Sequence, residues 1–269
     1  MKMIGMIVPT ADNTFFSNLA HYTEKAFSEN GYQTLICDSG NDAKKEKEYL
    51  KTLEGICEGI IDVSGLSEAP ENINVPIVFA DRKPASSNPI AWVANDDEAA
   101  MKEATLFLIE KGCKNIVLMP GYIAEKQENP RVKGYKAALE ENGLAFDESY
   151  VITRKGTGSS ESETEQLVMN MMREGKKIDG IITSSDRAAF GAVKALGKGG
   201  YYVPEDVRLI SFDNSPYSTM ASPSITSIDR NPELLAKKAC EVLLKKINGE
   251  ETDNENIIPV SLVKRDSTR

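Results

Sequence analysis

The sequence predicts an α/β protein with two doubly wound lobes, each built around a parallel β-sheet. Short apolar runs alternate with amphipathic helix patterns along almost the whole chain, and this alternation indicates successive βαβ units. The chain has 269 residues, and an open parallel sheet that held every predicted strand would split or curl. Two successive sheets with helices on both faces therefore explain the length better than one large sheet.

The first half of the chain has the pattern of one such lobe. Residues 4–8 form an apolar run that Pro9 closes, and a helical stripe of apolar residues follows until Gly31, which favours a helix end. Further strands are predicted at residues 32–37, 60–63, 77–80 and 92–94. The charged residues 44–48 lie in a predicted helix, where mixed signs indicate a solvated face rather than a binding patch.

The same rhythm of strands and helices restarts after Asp96. The first helix of this series ends at Gly112, and later Asn231 and Pro232 are typical of the start of a helix that ends at Gly249. Further helices are predicted at residues 131–142, 161–174 and 186–198. Strands are predicted at residues 116–119, 151–153, 180–183, 209–212 and 257–263.

Charge and hydropathy narrow the classes of function. Forty-one acidic and 32 basic residues give a net charge of −9, which opposes binding of a phosphate backbone by these residues alone. No apolar run approaches the roughly 18 residues that a membrane helix needs. The short apolar run at the N-terminus, closed by Pro9, predicts a strand rather than a secretion signal.

The chain has few of the histidine and cysteine residues on which many catalytic and metal sites depend. Its single histidine, His21, has no second histidine to join it, which disfavours zinc sites and Ser-His or Cys-His nucleophile systems. The glycine-rich residues 156–160 and 197–200 lack the dinucleotide and P-loop patterns. Four widely spaced cysteines favour buried reduced thiols in a cytoplasmic protein: Cys37, Cys57, Cys113 and Cys240. We therefore expect no catalytic site, no metal and no cofactor.

Polar residues directly follow several apolar strands, which is where doubly wound sheets carry their ligand-binding loops. Asp81 and Arg82 follow one strand, Asp186 follows another, and Asp213 follows a third. If the carboxyl edges of the two sheets face each other, these residues converge on one cleft together with Arg131. The strand pattern therefore predicts a binding site rather than a catalytic one.

These residue types suit a small polar ligand. Carboxylates accept hydrogen bonds from paired hydroxyls, an arginine donates a planar pair of hydrogen bonds, and Phe15 or Phe16 can cover an apolar sugar face. Structural roles remain open for each residue. Asp186 could cap its helix, Asp81 could pair with Arg82, and Phe16 fits the core stripe of the first helix.

Several ordered motifs resemble the effector-binding core of the lac repressor family, whose fold is that of the periplasmic sugar-binding proteins. Residues 4–16 resemble the family's first strand and its Asn-Pro-Phe-Phe helix start. Residues 76–82 match its Pro-Val-Val-x-x-Asp-Arg segment, and residues 131–135 match its Arg-x-x-Gly-Phe/Tyr motif. The most specific similarity lies in residues 203–207, 211–214 and 223–228. The resemblance covers nearly the whole chain.

The resemblance implies a periplasmic binding protein-like fold of type I, with three crossovers between the lobes near Asn95, Asp229 and Pro259. The N-terminal lobe would comprise residues 1–95 and 230–258, and the C-terminal lobe residues 96–229 and 259–269. Family members begin with a helix-turn-helix domain and hinge of about sixty residues, which this chain lacks. Met1 and Lys2 directly before a strand favour a truncated chain.

The resemblance also implies ligand contacts from Phe15, Phe16, Asp81, Arg131, Asp186 and Asp213, with Asn13, Arg82, Lys126 and Ser185 as possible additional contacts. Three departures from the family pattern bear on the identity of the ligand, and one is that the segment around Thr157 lacks the aromatic residue of some relatives. Ser185 stands where the family usually has Asn, and Asn214 where it has a second Asp. Lys126 and Arg131 leave an anionic ligand, such as a sugar phosphate, open.

The predicted function is therefore the ligand-sensing and dimerisation core of a sugar-responsive transcriptional repressor. A carbohydrate-like effector would bind between the lobes and alter the placement of two subunits, because its affinity differs between two arrangements. Operator DNA would be bound only through the absent N-terminal domain, and no membrane partner is expected. The alternative of the same fold is an extracytoplasmic sugar receptor of an ABC transporter, and the enzyme alternative is a glycosidase with paired carboxylates.

Overall fold

The computed structural model describes residues 2–66, 73–83, 90–121, 129–155 and 160–269. The chain divides into two units, which are Met1–Asn95 with Asn231–Pro259 and Asp96–Arg230 with Val260–Arg269. The second and third boundaries each fall one residue later than expected, so Arg230 groups with the second unit and Pro259 with the first.

Strands and helices alternate along the chain. In order they are β1 (Met3–Val8), α1 (Thr14–Ser28), β2 (Gln33–Asp38), α2 (Ala43–Glu54), β3 (Gly59–Asp62), β4 (Ile77–Ala80), β5 (Trp92–Asn95), α3 (Asp97–Glu110), β6 (Ile116–Met119), α4 (Pro130–Glu141), α5 (Ser160–Arg173), β7 (Gly180–Thr183), α6 (Asp186–Lys198), β8 (Arg208–Phe212), α7 (Pro216–Met220), β9 (Thr226–Asp229), α8 (Pro232–Ile247), β10 (Glu255–Ile258) and β11 (Ser261–Val263).

The first unit contains a parallel sheet with the strand order β10-β5-β4-β3-β1-β2. Alternate residues of β1 point to opposite faces, as strand geometry requires. Ile4 and Met6 join a core with residues of α1 and α8, whereas Ile7 joins a core with Leu50 and Leu53 of α2. Helices therefore cover both faces, which confirms the predicted doubly wound architecture.

The second unit contains a sheet with the strand order β11-β9-β8-β7-β6, parallel except for β11, which runs antiparallel to β9. Residues of α3 and α4 form a core on one face, and residues of α5 and α6 form a core on the other. The start of α8 is as predicted: Pro232 is its first residue, and Asn231 caps it by accepting a hydrogen bond from the Leu234 N–H at 3.1 Å.

Two strand predictions were wrong, and each has a local cause. Residues 151–153 form only a single bridge, between Val151 and Leu118, because the preceding residues Glu148–Tyr150 turn as a 3-10 helix. Residues 257–263 form two strands in different units, β10 and β11. Pro259 lies between them, and it has no N–H with which to continue a strand ladder.

The solvated face predicted for residues 44–48 is also incomplete. Glu46 is fully buried, although its neighbours Lys44, Lys45 and Lys47 are exposed. Its carboxylate accepts a hydrogen bond from the Leu66 N–H at 3.1 Å. This one acidic side chain therefore points into the first unit rather than into solvent.

Candidate functional site

Two predicted ligand contacts occupy equivalent positions in the two sheets. Asp81 directly follows β4, and Asp213 directly follows β8. Their backbone N–H groups donate to the neighbouring strands, to Val93 at 2.8 Å and to Ile228 at 2.9 Å. Both residues have left-handed backbones, with φ of 73° and 100°. Such a conformation costs a non-glycine residue about 1–3 kcal/mol and is concentrated at functional sites.

The first helix of the first unit presents three predicted contacts. Asn13 caps α1, because its Oδ1 accepts a hydrogen bond from the Phe15 N–H at 2.8 Å. The rings of Phe15 and Phe16 lie 5.5 Å apart in an edge-to-face pair and belong to the core beside β1. Phe15 is 2% exposed and Phe16 9% exposed. Packing of the unit thus accounts for most of the surface of both rings.

Arg82 folds back onto the end of β3. Its Nη1 donates to the carbonyl oxygen of Ser64 at 2.8 Å, and its charge interacts with Asp62. Gly65 has a φ of 53° and lies so close that an added Cβ would be 3.0 Å from the Cβ of Arg82. The Arg82 stem is therefore held in place by the turn that follows β3.

Sequence reasoning missed a buried pair of acids beside Arg82. Asp62, the last residue of β3, accepts hydrogen bonds from the N–H groups of Ser64 at 2.9 Å and Gly65 at 3.3 Å. Burial, together with the nearby charge of Glu46, raises the pKa of Asp62 to about 7. An acidic residue that ends an apolar run, as in Gly59–Asp62, was the available signal.

Arg131 in the second unit is oriented by three groups. Its Nε donates to Oδ2 of Asp97 at 2.9 Å, and its Nη1 donates to the carbonyl oxygen of Ser184 at 3.4 Å. The guanidinium carbon lies 4.5 Å from the centre of the Phe212 ring, a cation–π contact. The helix that carries Arg131 begins one residue earlier, at Pro130.

Asp213 lies close to these groups and is nearly buried. Its Oδ1 is 3.5 Å from Nη1 of Arg230. Burial raises the pKa of Asp213 well above its ordinary value, and the charge of Asp186 raises it further, whereas Arg131 lowers it. Burial also lowers the pKa of Arg230. The structure therefore brings Arg131, Asp186 and Asp213 into one electrostatic cluster.

Asp186 is fully buried and its carboxylate is occupied by the scaffold. Its Oδ1 accepts from the hydroxyls of Ser211 and of Ser227, the latter at 2.7 Å, and its Oδ2 accepts from the Ser215 N–H at 2.5 Å. Burial raises the pKa of Asp186 although these hydrogen bonds oppose the shift. Asp186 thus ties the start of α6 to β8, β9 and the start of α7. Ser185 caps α6 by accepting from the Ala188 N–H at 3.2 Å.

Some predictions fall on residues that the structure does not describe. Lys126 and the glycine-rich residues 156–159 both lie outside the described ranges. Within those ranges, no group of three or more His, Cys, Asp or Glu side chains is placed to hold a metal ion. No described helix combines the length and the apolar character needed to cross a membrane.

Comparison with known proteins identifies the family. A model of the periplasmic binding protein-like domain matches residues 105–268. The ribose operon repressor of Halalkalibacterium halodurans is 30% identical over 271 residues, covering 99% of this chain and 80% of that repressor. Catabolite control protein A of Priestia megaterium is 32% identical over 274 residues, covering 99% and 81%. This chain belongs to the lac repressor family of transcriptional regulators.

A solved lac repressor family structure has the same fold. It is a periplasmic binding protein/LacI transcriptional regulator from Alkaliphilus metalliredigens, complexed with D-xylulofuranose, with a TM-score of 0.88 and 30% identity over the full length of both chains. The family prediction is therefore confirmed. The chain is the effector-sensing core of a transcriptional regulator and not an enzyme, and the transporter-receptor alternative is not favoured.

Proposed function

We propose that a hydroxyl-rich, sugar-like effector binds to Asp81 in the first unit and to Arg131 and Asp213 in the second. The observation that carries this proposal is the shared left-handed backbone of Asp81 and Asp213, each directly after a strand. Strained positions of this kind persist only where the surrounding structure enforces them, and they are concentrated at binding sites.

The charges of the second unit favour hydroxyl groups at this position. Arg131 already has Asp97 as a partner, and Asp213 already has Arg230. A ligand that contacts both of these ion pairs gains little binding free energy from a net charge of its own. A sugar hydroxyl can donate to the Asp213 carboxylate while it accepts from the Arg131 guanidinium. Adjacent hydroxyls of a sugar ring therefore suit this pair.

The other predicted contacts fall into two groups according to the residues that surround them. We assign Asn13, Phe15, Phe16 and Arg82 to the edges of the site, where they limit the shape of the ligand. Ser185 and Asp186 serve as scaffold, because the Ser185 hydroxyl caps α6 and the buried Asp186 carboxylate accepts three hydrogen bonds from Ser211, Ser215 and Ser227. The relatives support a sugar, since one is named for the ribose operon and another was solved with D-xylulofuranose.

Repression would be controlled through a homodimer in the cytoplasm. The full repressor would bind operator DNA through an N-terminal helix-turn-helix domain, and the effector would favour one arrangement of the dimer because it binds that arrangement more tightly. Exposed apolar side chains in the second unit, such as Tyr202 and Met220, would be covered on association. Light scattering after gel filtration tests this step, and a monomer at working concentration would contradict it.

Calorimetric titration tests the binding site. A panel of pentoses, hexoses and disaccharides is titrated against the wild-type chain, Asp213→Asn and the exposed control Asp253→Asn. Loss of one charged hydrogen bond should lower the affinity of the best sugar about tenfold or more in Asp213→Asn. The Asp253→Asn control should bind like the wild type. Equal affinity in all three proteins would remove Asp213 from the site.

A further inference from the structure

Arg154 brings a second guanidinium group to the carboxyl edge of the second sheet. Its backbone N–H donates to the carbonyl oxygen of Gly121, shortly after the end of β6, at 3.1 Å. An added Cβ on Gly121 would lie 3.1 Å from Oγ of Ser184, the residue whose carbonyl accepts from Arg131. Arg154 and Arg131 are thus both anchored where β6 and β7 end, at the edge that carries the proposed effector contacts.

The hydrogen bonding of Arg154 is incomplete. Its side chain is 18% exposed, and Nε lies 3.9 Å from Oε2 of Glu163, which is too long for a hydrogen bond. Both Nε and Nη1 are buried, and neither has an acceptor among the residues that the structure describes. Buried donors without acceptors are rare and unfavourable in folded proteins, so each instance calls for an explanation. A ligand that supplies acceptor atoms provides one.

A second arginine, Arg187, lies three residues after Ser184, in the helix that begins where β7 ends, and its charge acts on Arg154. Arg187 is the second residue of α6, a helix of 13 residues, so it stands at the positive end of the helix dipole. Burial lowers the pKa of Arg154, Glu163 opposes this shift, and the like charge of Arg187 adds to it. Guanidinium groups recognise phosphate and carboxylate oxygens through paired, charge-assisted hydrogen bonds.

We propose that Arg154 and Arg187 bind an anionic group of the effector, either a phosphate or a carboxylate. This inference rests on the proposed function, because the sugar part of the same molecule would contact Arg131 and Asp213. Those two residues already have oppositely charged partners, whereas Arg154 has donors to spare. Glu163 faces Arg154 and therefore repels the bound anion.

Inorganic phosphate is the first probe, because it needs no sugar. The melting temperature of the chain is measured in phosphate, in sulfate and in chloride at equal ionic strength, since a ligand that binds the folded state stabilises it. Phosphate should raise the melting temperature of the wild type above that in chloride. The rise should vanish in Arg154→Gln, grow in Glu163→Gln, and stay unchanged in Arg173→Gln, an exposed control at the end of α5.

The opposite responses of the two variants separate binding from packing. If Arg154 and Glu163 served only to stabilise the fold, both substitutions would lower the melting temperature equally in every salt, and that result overturns the proposal. So does a wild type that responds to phosphate no more than to chloride. Neither result touches the proposed function, which the neutral sugars and Asp213→Asn test separately.

Matched sugars then distinguish the two anion sources. Ribose and ribose 5-phosphate form one pair, and glucose and gluconate form another. The anionic member of one pair should bind the wild type at least tenfold more tightly than its neutral partner, and the ratio should fall to about one in Arg154→Gln. A ratio near one in the wild type for both pairs, or a ratio that survives Arg154→Gln, overturns the proposal.

Discussion

Asp81 and Asp213 hold the same position in two different sheets. Each follows a parallel strand directly, each donates its N–H to the next strand of the sheet, and each has a left-handed backbone. Glycine adopts this conformation without strain, whereas aspartate does so at a cost. Glycine at either position would therefore cost less free energy. The presence of aspartate at both positions indicates that the carboxylates have a role beyond the turn itself.

Replacement of Asp81 should separate stability from binding. Asp81→Gly removes the carboxylate and the backbone strain together, so we expect a free energy of unfolding equal to that of the wild type or higher by up to about 1 kcal/mol. Asp81→Ala removes the carboxylate but keeps the strain, so this variant should be less stable than Asp81→Gly. Both variants should bind the best sugar of the panel at least roughly tenfold more weakly. Urea denaturation and calorimetry provide the two measurements, and wild-type affinity in either variant would contradict the assignment.

Helices α3 and α4 approach each other so closely at Gly134 that one added methyl group should lower the unfolding free energy. An added Cβ on Gly134 would lie 2.1 Å from the carbonyl oxygen of Glu98, which is backbone and cannot rotate away. Gly134→Ala should therefore cost about 1–3 kcal/mol of unfolding free energy or more. It should also weaken effector binding, because the same two helices carry Arg131 and Asp97.

Gly197 supplies the matched control for this change. It lies in α6, and nothing stands within 4 Å of an added Cβ. Because alanine favours helices over glycine, Gly197→Ala should raise the unfolding free energy by up to about 1 kcal/mol. If Gly134→Ala were as stable as Gly197→Ala in urea denaturation, the packing interpretation would be wrong.

Asp62 should make the stability of the chain depend on pH. Its pKa rises to about 7 in the folded state from an unfolded value of 3.8, so the folded state binds more protons between these values. The free energy of unfolding should therefore fall as the pH rises from about 4 to about 7, by a few kcal/mol at most. Asp62→Asn keeps the acceptor oxygen for Ser64 and Gly65 but cannot ionise, so it should flatten this slope.

The comparison is made by urea denaturation at a pH near 5 and at a pH near 8. The gain in stability of Asp62→Asn over the wild type should be larger at the higher pH. The exposed Asp253→Asn should leave the slope of the wild type unchanged. A gain that is equal at both values would show that Asp62 does not titrate in this range.

Local signals account for how much of the fold was predictable. The bounds of β7 were predicted correctly because a buried parallel strand is a continuous apolar run, and those of α6 because glycines follow it. The residue that caps α6 is Ser185, however, and not Asp186 as the sequence suggested. The strands at the end of the chain were not predicted correctly. Residues 257–263 look like one strand until the position of Pro259 between two units is known. Periodicity does not contain that information.

The sequence predicts candidate contacts where polar residues follow strands, but it does not show which of these side chains are buried and hydrogen-bonded within the unit. Asp213 and Asp186 both follow apolar runs. The Asp186 carboxylate, however, accepts hydrogen bonds from Ser211, Ser215 and Ser227, which are distant from it in the sequence. Glu46 was hidden in a run of charges, and its burial depends on packing of α2 against the sheet. Arg154 lies in no sequence motif, and only its buried donor atoms without described acceptors distinguish it.

Asp186 should behave as a structural residue in experiments that remove its charge. Asp186→Asn replaces one acceptor oxygen by a donor, so at least one of the Ser211 hydroxyl, the Ser227 hydroxyl and the Ser215 N–H loses its acceptor inside the core. A buried donor that loses its partner costs about 1–3 kcal/mol, so the unfolding free energy should fall by that amount. The affinity of the folded fraction for the best sugar should stay within about twofold of the wild type. Calorimetry at a temperature where both proteins are fully folded makes the comparison, and a tenfold loss of affinity without a loss of stability would return Asp186 to the binding site.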